Sequence, residues 1–256
     1  VAVLAASTAG GRWLVPEVAP HPPAASGGAP SPADEPAVAP PVAVPSSSTF
    51  PYPSTSPSQS PAGNRPVDAL AGWAGQISPA VGISPVALAA YGYAQLTVAQ
   101  TTPGCHLSWT TLAGIGKVES NHGTANGADL TSDGKALPPI IGDALDGQGN
   151  RRLIRDTDSG LLDGDRMYDR AVGPMQFLPS TWRQYQRDAD ADGASDPNDI
   201  NDAALAAANY LCAGGRDLAT PEGWRAAMLS YNAIQVYVQS VFDAADEYGR
   251  RSRTVT

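Results

Sequence analysis

Basic charge is scarce in this chain and is nowhere gathered into a stripe. Between residues 67 and 249 there are 11 Lys and Arg against 22 Asp and Glu. That acidic balance repels a phosphate backbone and argues against nucleic acid as a partner. Long apolar runs are also missing: after the first few residues, no stretch approaches the roughly 18 apolar residues that a bilayer-spanning helix needs. Runs of alternating apolar and polar residues are lacking too, so the folded part is expected to be mainly α. Cysteine is limited to Cys105 and Cys212. As a disulfide they fit an oxidising compartment and close a loop of about 100 residues; the alternative is two buried free thiols. Glutamate is rare as well, with five in the whole chain.

Proline is plentiful but unevenly placed, 15 of the 24 falling in the first 66 residues. Mixed there with Ala, Ser and Val and without a helical or strand period, it makes residues 10–66 a disordered Pro/Ala/Ser-rich linker by expectation. The opening "VAVLAASTAGG" reads as the remnant of an export signal over residues 1–9, with Ser7-Thr8-Ala9 as a small-residue cleavage site; the plainer alternative is an arbitrary apolar end. Cleaved, it leaves a secreted protein; retained, it is a membrane tether, and both readings are extracytoplasmic. Residues 67–249 remain as one domain, long enough for a single buried core and expected to be a monomer. The basic end "RRSRTVT", residues 250–256, is expected to be disordered.

Within the domain, Ser84-Pro85 supplies an N-cap and first-turn proline for a helix ending near Thr102-Pro103. Ser108 caps the next, "WTTLAGIGKVES". Trp109, Leu112, Ile115 and Glu119 recur there at helical spacing, which sets Glu119 on the apolar face. Residues 124–171 read as a long irregular excursion rich in Asp, Gly and Asn. Helices follow over about 179–188, 200–213, 221–231 and 234–248.

A carboxyl beside Leu112 and Ile115 loses hydration, so its pKa rises toward the range of a proton donor near neutrality. The competing reading is a partly buried Glu119 paired with an arginine. In "GPMQFLPSTW" (Gly173 to Trp182), Gln176 lies between large apolar residues and needs partners for its amide, which sugar hydroxyls could supply. "DADADGASDPND", Asp188 to Asp199, has the spacing of an EF-hand-type calcium loop: Asp188, Asp190 and Asp192 at alternate positions, Gly193 next, Ala194 offering a carbonyl, and Asp199 closing it. Ser195 in place of an apolar residue, and Asp199 in place of glutamate, depart from that pattern. In "LSYNAIQVYVQSV", Tyr231, Asn232 and Tyr237 are core residues or a surface on which sugar rings stack.

Taken in order, "GKVESNHG", "AVGPMQFLPSTW", "DADADGASDPND", "AANYLCAGG" and "SYNAIQVYV" resemble the lytic murein transglycosylases, in particular the membrane-bound lytic transglycosylase B type and its actinobacterial secreted relatives, over residues 80–245. The resemblance implies a lysozyme-like helical domain of the goose-type and transglycosylase kind, acting on peptidoglycan glycan strands. It implies Glu119 as the catalytic acid, and Ser120, Met175, Gln176, Phe177, Tyr231, Asn232 and Tyr237 as the sugar groove. It implies no catalytic cofactor, and a structural calcium held by Asp188, Asp190, Asp192, Ala194 and Asp199. The implied reaction breaks the β-1,4 bond from N-acetylmuramic acid to N-acetylglucosamine and leaves a 1,6-anhydro end, one acid sufficing because the C6 hydroxyl of the same sugar is the nucleophile.

Two other functions fit parts of the sequence. A hydrolytic muramidase would need a second carboxylate, for which Asp163, Asp165 and Asp169 are candidates, although Asp of this kind also forms turns. A calcium-stabilised, non-catalytic peptidoglycan-binding module would need no desolvated glutamate. His122, close behind the acid, is read as structural or as part of the groove rim.

Overall fold

The computed structural model describes residues 65–149 and 151–255; the export remnant and all but the end of the linker lie outside the described residues. Seven α-helices carry the fold: α1 Ala71–Val81, α2 Pro85–Thr101, α3 Trp109–Ser120, α4 Pro179–Tyr185, α5 Ile200–Cys212, α6 Pro221–Tyr231 and α7 Gln235–Ser252. The described domain is mainly helical, as its sequence implies.

The core forms where small residues let helices approach. Both α2 and α5 are alanine-rich; Ala87, Ala90, Ala94, Ala203, Ala204 and Ala207 are all buried, and these two helices share one of the largest interfaces. The N-terminal part of α5 is buried all round, Ile200 through Ala208, the pattern of a central helix. The other large interface joins α3 and α7. At its middle a Cβ on Gly114 would lie 2.7 Å from the Val241 carbonyl oxygen, so only glycine permits the approach. Cys105, just after α2, is bonded to Cys212 at the end of α5 with Cα atoms 5.3 Å apart, and the free-thiol alternative falls away.

Helix starts follow the local chemistry. Ser84 and Thr220 accept amide hydrogens from Ala87 and Gly223, and a proline occupies the first turn of both helices. α4 begins at Pro179 as expected, with that proline in its first turn, and ends at Tyr185, three residues short of the expected end. α1 has no counterpart in the sequence reading. Its "AGWAGQISPAV" contains two glycines and Pro79, poor helix formers, and what holds it is burial of Ala74, Ile77 and Val81. The basic end departs from expectation too: α7 continues to Ser252 and a 3-10 turn, Arg253–Val255, follows. Arg250 pairs with Asp246 and Arg251 with Glu247 one turn back, adding local support that composition alone does not reveal.

The excursion from 124 to 171 has almost no regular structure. Two two-residue strands, β1 Asp129–Leu130 and β2 Ala136–Leu137, pair antiparallel. Beyond them single bridges link Ile141 to Val172, Asp146 to Leu153 and Arg155 to Tyr168. Asp side chains accept the loop's own amide hydrogens, as Asp158 does from Gly160 and Leu162.

Candidate active site

Glu119 ends the apolar face of α3, where α7 crosses it closely. That approach carries Tyr237, in the first turn of α7, over the carboxyl, and its hydroxyl donates to Glu119 Oε1 at 2.8 Å. Oε2 is buried with no hydrogen-bond partner among the described residues, and the whole residue is 3% exposed. Burial pushes the Glu119 pKa up to about 8, against the smaller downward pull of the Tyr237 hydrogen bond. No arginine pairs with it among the described residues, so the ion-paired alternative is absent.

The segment after Gly173 is bound to the residue that follows this acid and to Tyr231. A Cβ on Gly173, whose φ is 75°, would sit 1.7 Å from the Pro197 carbonyl oxygen, so the turn requires glycine. Ser120 Oγ donates to the Pro174 carbonyl at 2.7 Å and accepts the Gly123 amide at 2.8 Å. Tyr231 donates its hydroxyl to the Met175 carbonyl at 2.8 Å, and its ring stacks on Tyr237 with centroids 6.4 Å apart. Gln176 has a positive φ of 47°, and its side-chain amide donates to the Gly173 carbonyl at 3.0 Å. That bond answers half of its amide within the protein, without a sugar.

The expected groove residues therefore divide. Ser120, Tyr231, Tyr237 and the Met175 carbonyl form one connected set with Glu119. The side chains of Met175 and Phe177 have no exposed surface: Phe177 packs edge-on against Trp182 and Tyr231, and both side chains belong to the core. Asn232 follows Tyr231 directly and is 5% exposed.

Behind the acid lies a buried chain of three rings that the sequence reading did not assemble. Tyr91 of α2 meets His122 Nδ1 at 3.1 Å, and Tyr248 of α7 meets Nε2 at 2.8 Å. Burial holds the His122 pKa down to about 3, so the ring is neutral at physiological pH. His122 thereby ties the end of α3 to α2 and α7, a structural role. Gly116 serves this chain: a Cβ there would lie 2.0 Å from the Tyr91 hydroxyl oxygen.

The acidic loop departs from its expected ligand set. Asp188 and Asp190 come together with Asp202, one carboxylate oxygen of each lying within 4.8 Å of the others. Asp192 instead contacts Lys135 at 3.3 Å and accepts the Ala194 amide at 2.8 Å. Asp199 caps α5 by accepting the Asn201 amide at 2.8 Å, and its Oδ2 is a second buried oxygen without a partner. The cause is where α5 begins. An aspartate just before a helix is a strong N-cap, so Asp199 turns its Oδ1 to the helix start, and the acid three residues on reaches back into the loop. Asp202 does so through the amides of Ala189 and Asp196, at 2.7 and 2.9 Å. An Asp in the first turn after the loop was the available signal.

The candidate second carboxylates are engaged elsewhere. Asp163 accepts the amides of Asp165 and Arg170, and Asp165 those of Met167 and Tyr168. Asp169 is buried and accepts from the amide and hydroxyl of Thr157. All three act as turn formers.

Comparison with known proteins bears on part of this site. Residues 167–228, less than half of the chain, match the family model described as the Transglycosylase SLT domain. The matched stretch holds Gly173 to Phe177 and the acidic loop; Glu119, Tyr231 and Tyr237 lie outside it. Among solved structures the chain is similar to the Escherichia coli lytic transglycosylase Slt35 in complex with bulgecin A, at 15% identity and a TM-score of 0.43, covering 76% of this chain and 81% of that one. No curated protein matches it.

Proposed function

We propose that this protein is an extracytoplasmic lytic transglycosylase that cleaves the β-1,4 bond from N-acetylmuramic acid to N-acetylglucosamine in peptidoglycan and leaves a 1,6-anhydro end. The observation that carries the reading is Glu119: one oxygen fixed by Tyr237 at 2.8 Å, the other buried and unpartnered. With a pKa of about 8 the carboxyl is protonated at neutral pH. Because Tyr237 donates to Oε1, that oxygen acts as an acceptor and the proton belongs on Oε2. From there it passes to the glycosidic oxygen as the bond to C1 breaks. The carboxylate left behind takes the proton of the C6 hydroxyl of the same muramic residue, whose oxygen bonds to C1. The acid is regenerated and no water is consumed. Tethering makes that attack intramolecular, which is worth far more than a second catalytic group. A hydrolytic route would need a second carboxylate, and the candidates in the 156–169 stretch are committed to turns.

The match of residues 167–228 to the Transglycosylase SLT domain supports the substrate class, and the Cys105–Cys212 disulfide supports an oxidising compartment. Asp188, Asp190 and Asp202 suit calcium, a hard cation that takes oxygen ligands. Burial raises the pKa of Asp190 and carries that of Asp202 to about 7, with a smaller contribution from the neighbouring carboxylates, whose mutual repulsion a cation would relieve. Bound there, it would link the loop to the start of α5 and play a structural part.

Product analysis of digested sacculi tests the reading. Anhydro-muropeptides, lighter than hydrolytic products by one water, are expected from the wild type and none from Glu119→Gln. Reducing ends alone would identify a muramidase. Equal effects of both proteins on sacculi would identify a binding module.

A further inference from the structure

Cationic side chains of this acidic protein collect on one ribbon of the excursion. Arg151, Arg152, Arg155, Arg166 and Arg170 lie within twenty residues, close to half of the 11 Lys and Arg between 67 and 249. The five Asp of the same ribbon (156, 158, 163, 165, 169) are turned to the loop's own amides and hydroxyls, as at Asp156 to Asp158, Asp163 to Arg170 and Asp169 to Thr157. Arg151 and Arg170 pair with Asp146 and Asp165. Arg152, Arg155 and Arg166 are exposed, and no carboxylate among the described residues pairs with them. The ribbon's aspartates are thus occupied by the loop's own donors, three of them (156, 158 and 169) grouped together, while Arg152, Arg155 and Arg166 point to no ion-pair partner.

Its geometry is that of a platform. Arg155 and Tyr168 are directly opposed across an antiparallel bridge, flanked by the bonds from the Asp156 amide to the Met167 carbonyl at 3.2 Å and from the Asp169 amide to the Ile154 carbonyl at 3.1 Å. Opposed residues share a face, and the Arg155 guanidinium lies 4.9 Å from the centre of the Tyr168 ring. That contact holds the planar fork in place while its N–H groups stay free to meet an anion. Arg183 of α4 reaches the same ribbon, donating to the Thr157 carbonyl at 2.8 Å, and it too is exposed without a carboxylate partner. Leu153 and Met167, 60% and 62% exposed, add apolar surface beside the charges.

The ribbon is joined to the acid by a series of contacts. Arg170 donates to the Gly142 carbonyl at 3.2 Å, and the Gly142 amide to the Ala171 carbonyl at 2.8 Å; a Cβ on Gly142 would lie 2.9 Å from Gln176 Oε1. From Gln176 the next residue back is Met175, whose carbonyl holds Tyr231, stacked on Tyr237, which binds Glu119.

We propose that the ribbon of residues 151–157 and 166–170 binds the carboxylates of the peptides carried by the glycan, with Arg155 and Arg166 as the principal contacts. This rests on the reading of peptidoglycan as substrate. It accounts for guanidinium groups without an ion-pair partner on an acidic protein that must approach a polymer studded with peptide carboxylates, where its own net charge works against it.

The test is cosedimentation with two forms of the same peptidoglycan, one intact and one stripped of peptides by an amidase, using the full chain carrying Glu119→Gln so that nothing is cut. Intact material is expected to bind roughly tenfold more tightly than stripped material, the size of a few charge-assisted contacts. That preference should shrink as salt is raised. In the same protein carrying Arg155→Ala and Arg166→Ala, the ratio should fall to about one. Both positions are exposed, so an unchanged melting curve checks the fold. Equal binding of both forms by the parent protein, or an unchanged ratio in the arginine variant, overturns the inference and leaves the substrate class standing. Binding to neither form overturns the substrate class as well.

Discussion

Tyr237 and Glu119 come from helices that begin more than a hundred residues apart, yet the tyrosine hydroxyl lies 2.8 Å from one carboxyl oxygen and leaves the other free. In the proposed reaction that asymmetry gives the two oxygens different tasks: Oε1 is anchored and Oε2 would deliver the proton. Tyr237→Phe removes the anchor while keeping the stacked ring. Since the hydrogen bond pulls the Glu119 pKa down, losing it should push the pKa above about 8. The alkaline fall in kcat/KM should then move to higher pH, while kcat drops by roughly tenfold through lost orientation. A pH–rate profile on both proteins checks this, and coincident alkaline limbs would contradict the assigned role of the hydroxyl.

The same buried acid makes stability depend on pH in the direction opposite to a salt-bridged carboxylate. Folding raises its pKa from the ordinary 4.5 to about 8, so the native state holds the proton more tightly than the unfolded chain. Its contribution is therefore fully favourable below pH 4.5 and is lost progressively as pH rises to about 8. Glu119→Gln is neutral throughout and keeps an acceptor for Tyr237. Between pH 5 and pH 8.5 the melting temperature of the wild type should fall relative to the variant's, by several degrees at least for a domain of this size. Parallel melting curves across that range would show that Glu119 ionises as readily folded as unfolded.

Much of this site is legible in the sequence because local rules dominate at α3. Ser108 caps it, the apolar spacing puts Glu119 inward, and desolvation follows. The anchoring bond and the neutral His122 were not legible, since Tyr237, Tyr91 and Tyr248 reach the acid or its neighbour only through the tertiary packing of α2 and α7. Small residues such as Gly114 and Gly116 leave room for either a glycan or a neighbouring helix; in the fold that room is filled by the Val241 backbone of α7 and the Tyr91 hydroxyl of α2. α1 was missed for the converse reason: its glycines and proline argue against a helix that burial imposes.

The acidic loop gives a sharp contrast between two aspartates three residues apart. If Asp188, Asp190 and Asp202 hold calcium, a chelator should lower the melting temperature of the wild type, and calcium at a hundred times its Kd should restore about 2.7 kcal/mol. Asp202→Asn should melt lower and ignore the chelator. Asp199→Asn, which keeps a capping oxygen for the Asn201 amide, should still respond. A wild type indifferent to the chelator would remove calcium from the account, and a response lost in Asp199→Asn but kept in Asp202→Asn would restore the twelve-residue loop.

The disulfide closes a loop with a sequence separation of 107 and joins the two helices that share a principal core interface. Replacing both cysteines by serine should cost at most about 4 to 5 kcal/mol in the chain-entropy view, with the native fold kept under mild conditions. Denaturant titration measures it: the midpoint should fall, and reduction of the wild type should reproduce the shift. A reductant without effect on the midpoint would mean that the bridge adds nothing to a core already closed by α2 and α5.

Gly116 offers a test that separates packing from chemistry. An alanine there would bring its Cβ to about the 2.0 Å at which it meets the Tyr91 hydroxyl oxygen, so the ring or α3 must shift. Overpacking of this kind costs about 1–3 kcal/mol. Tyr91→Phe alone should cost on the order of 1 kcal/mol, because it leaves His122 Nδ1 without its partner at 3.1 Å. Combined with Gly116→Ala, however, it removes the nearer of the two Tyr91 atoms in conflict and leaves only Cζ at 2.9 Å, so the double variant should be more stable than the sum of the singles predicts. Additive losses would mean that α3 itself moves away. Activity would then separate the cases: a shift of α3 displaces Glu119 from Tyr237 and lowers kcat, whereas a local rotation of Tyr91 leaves the acid in place.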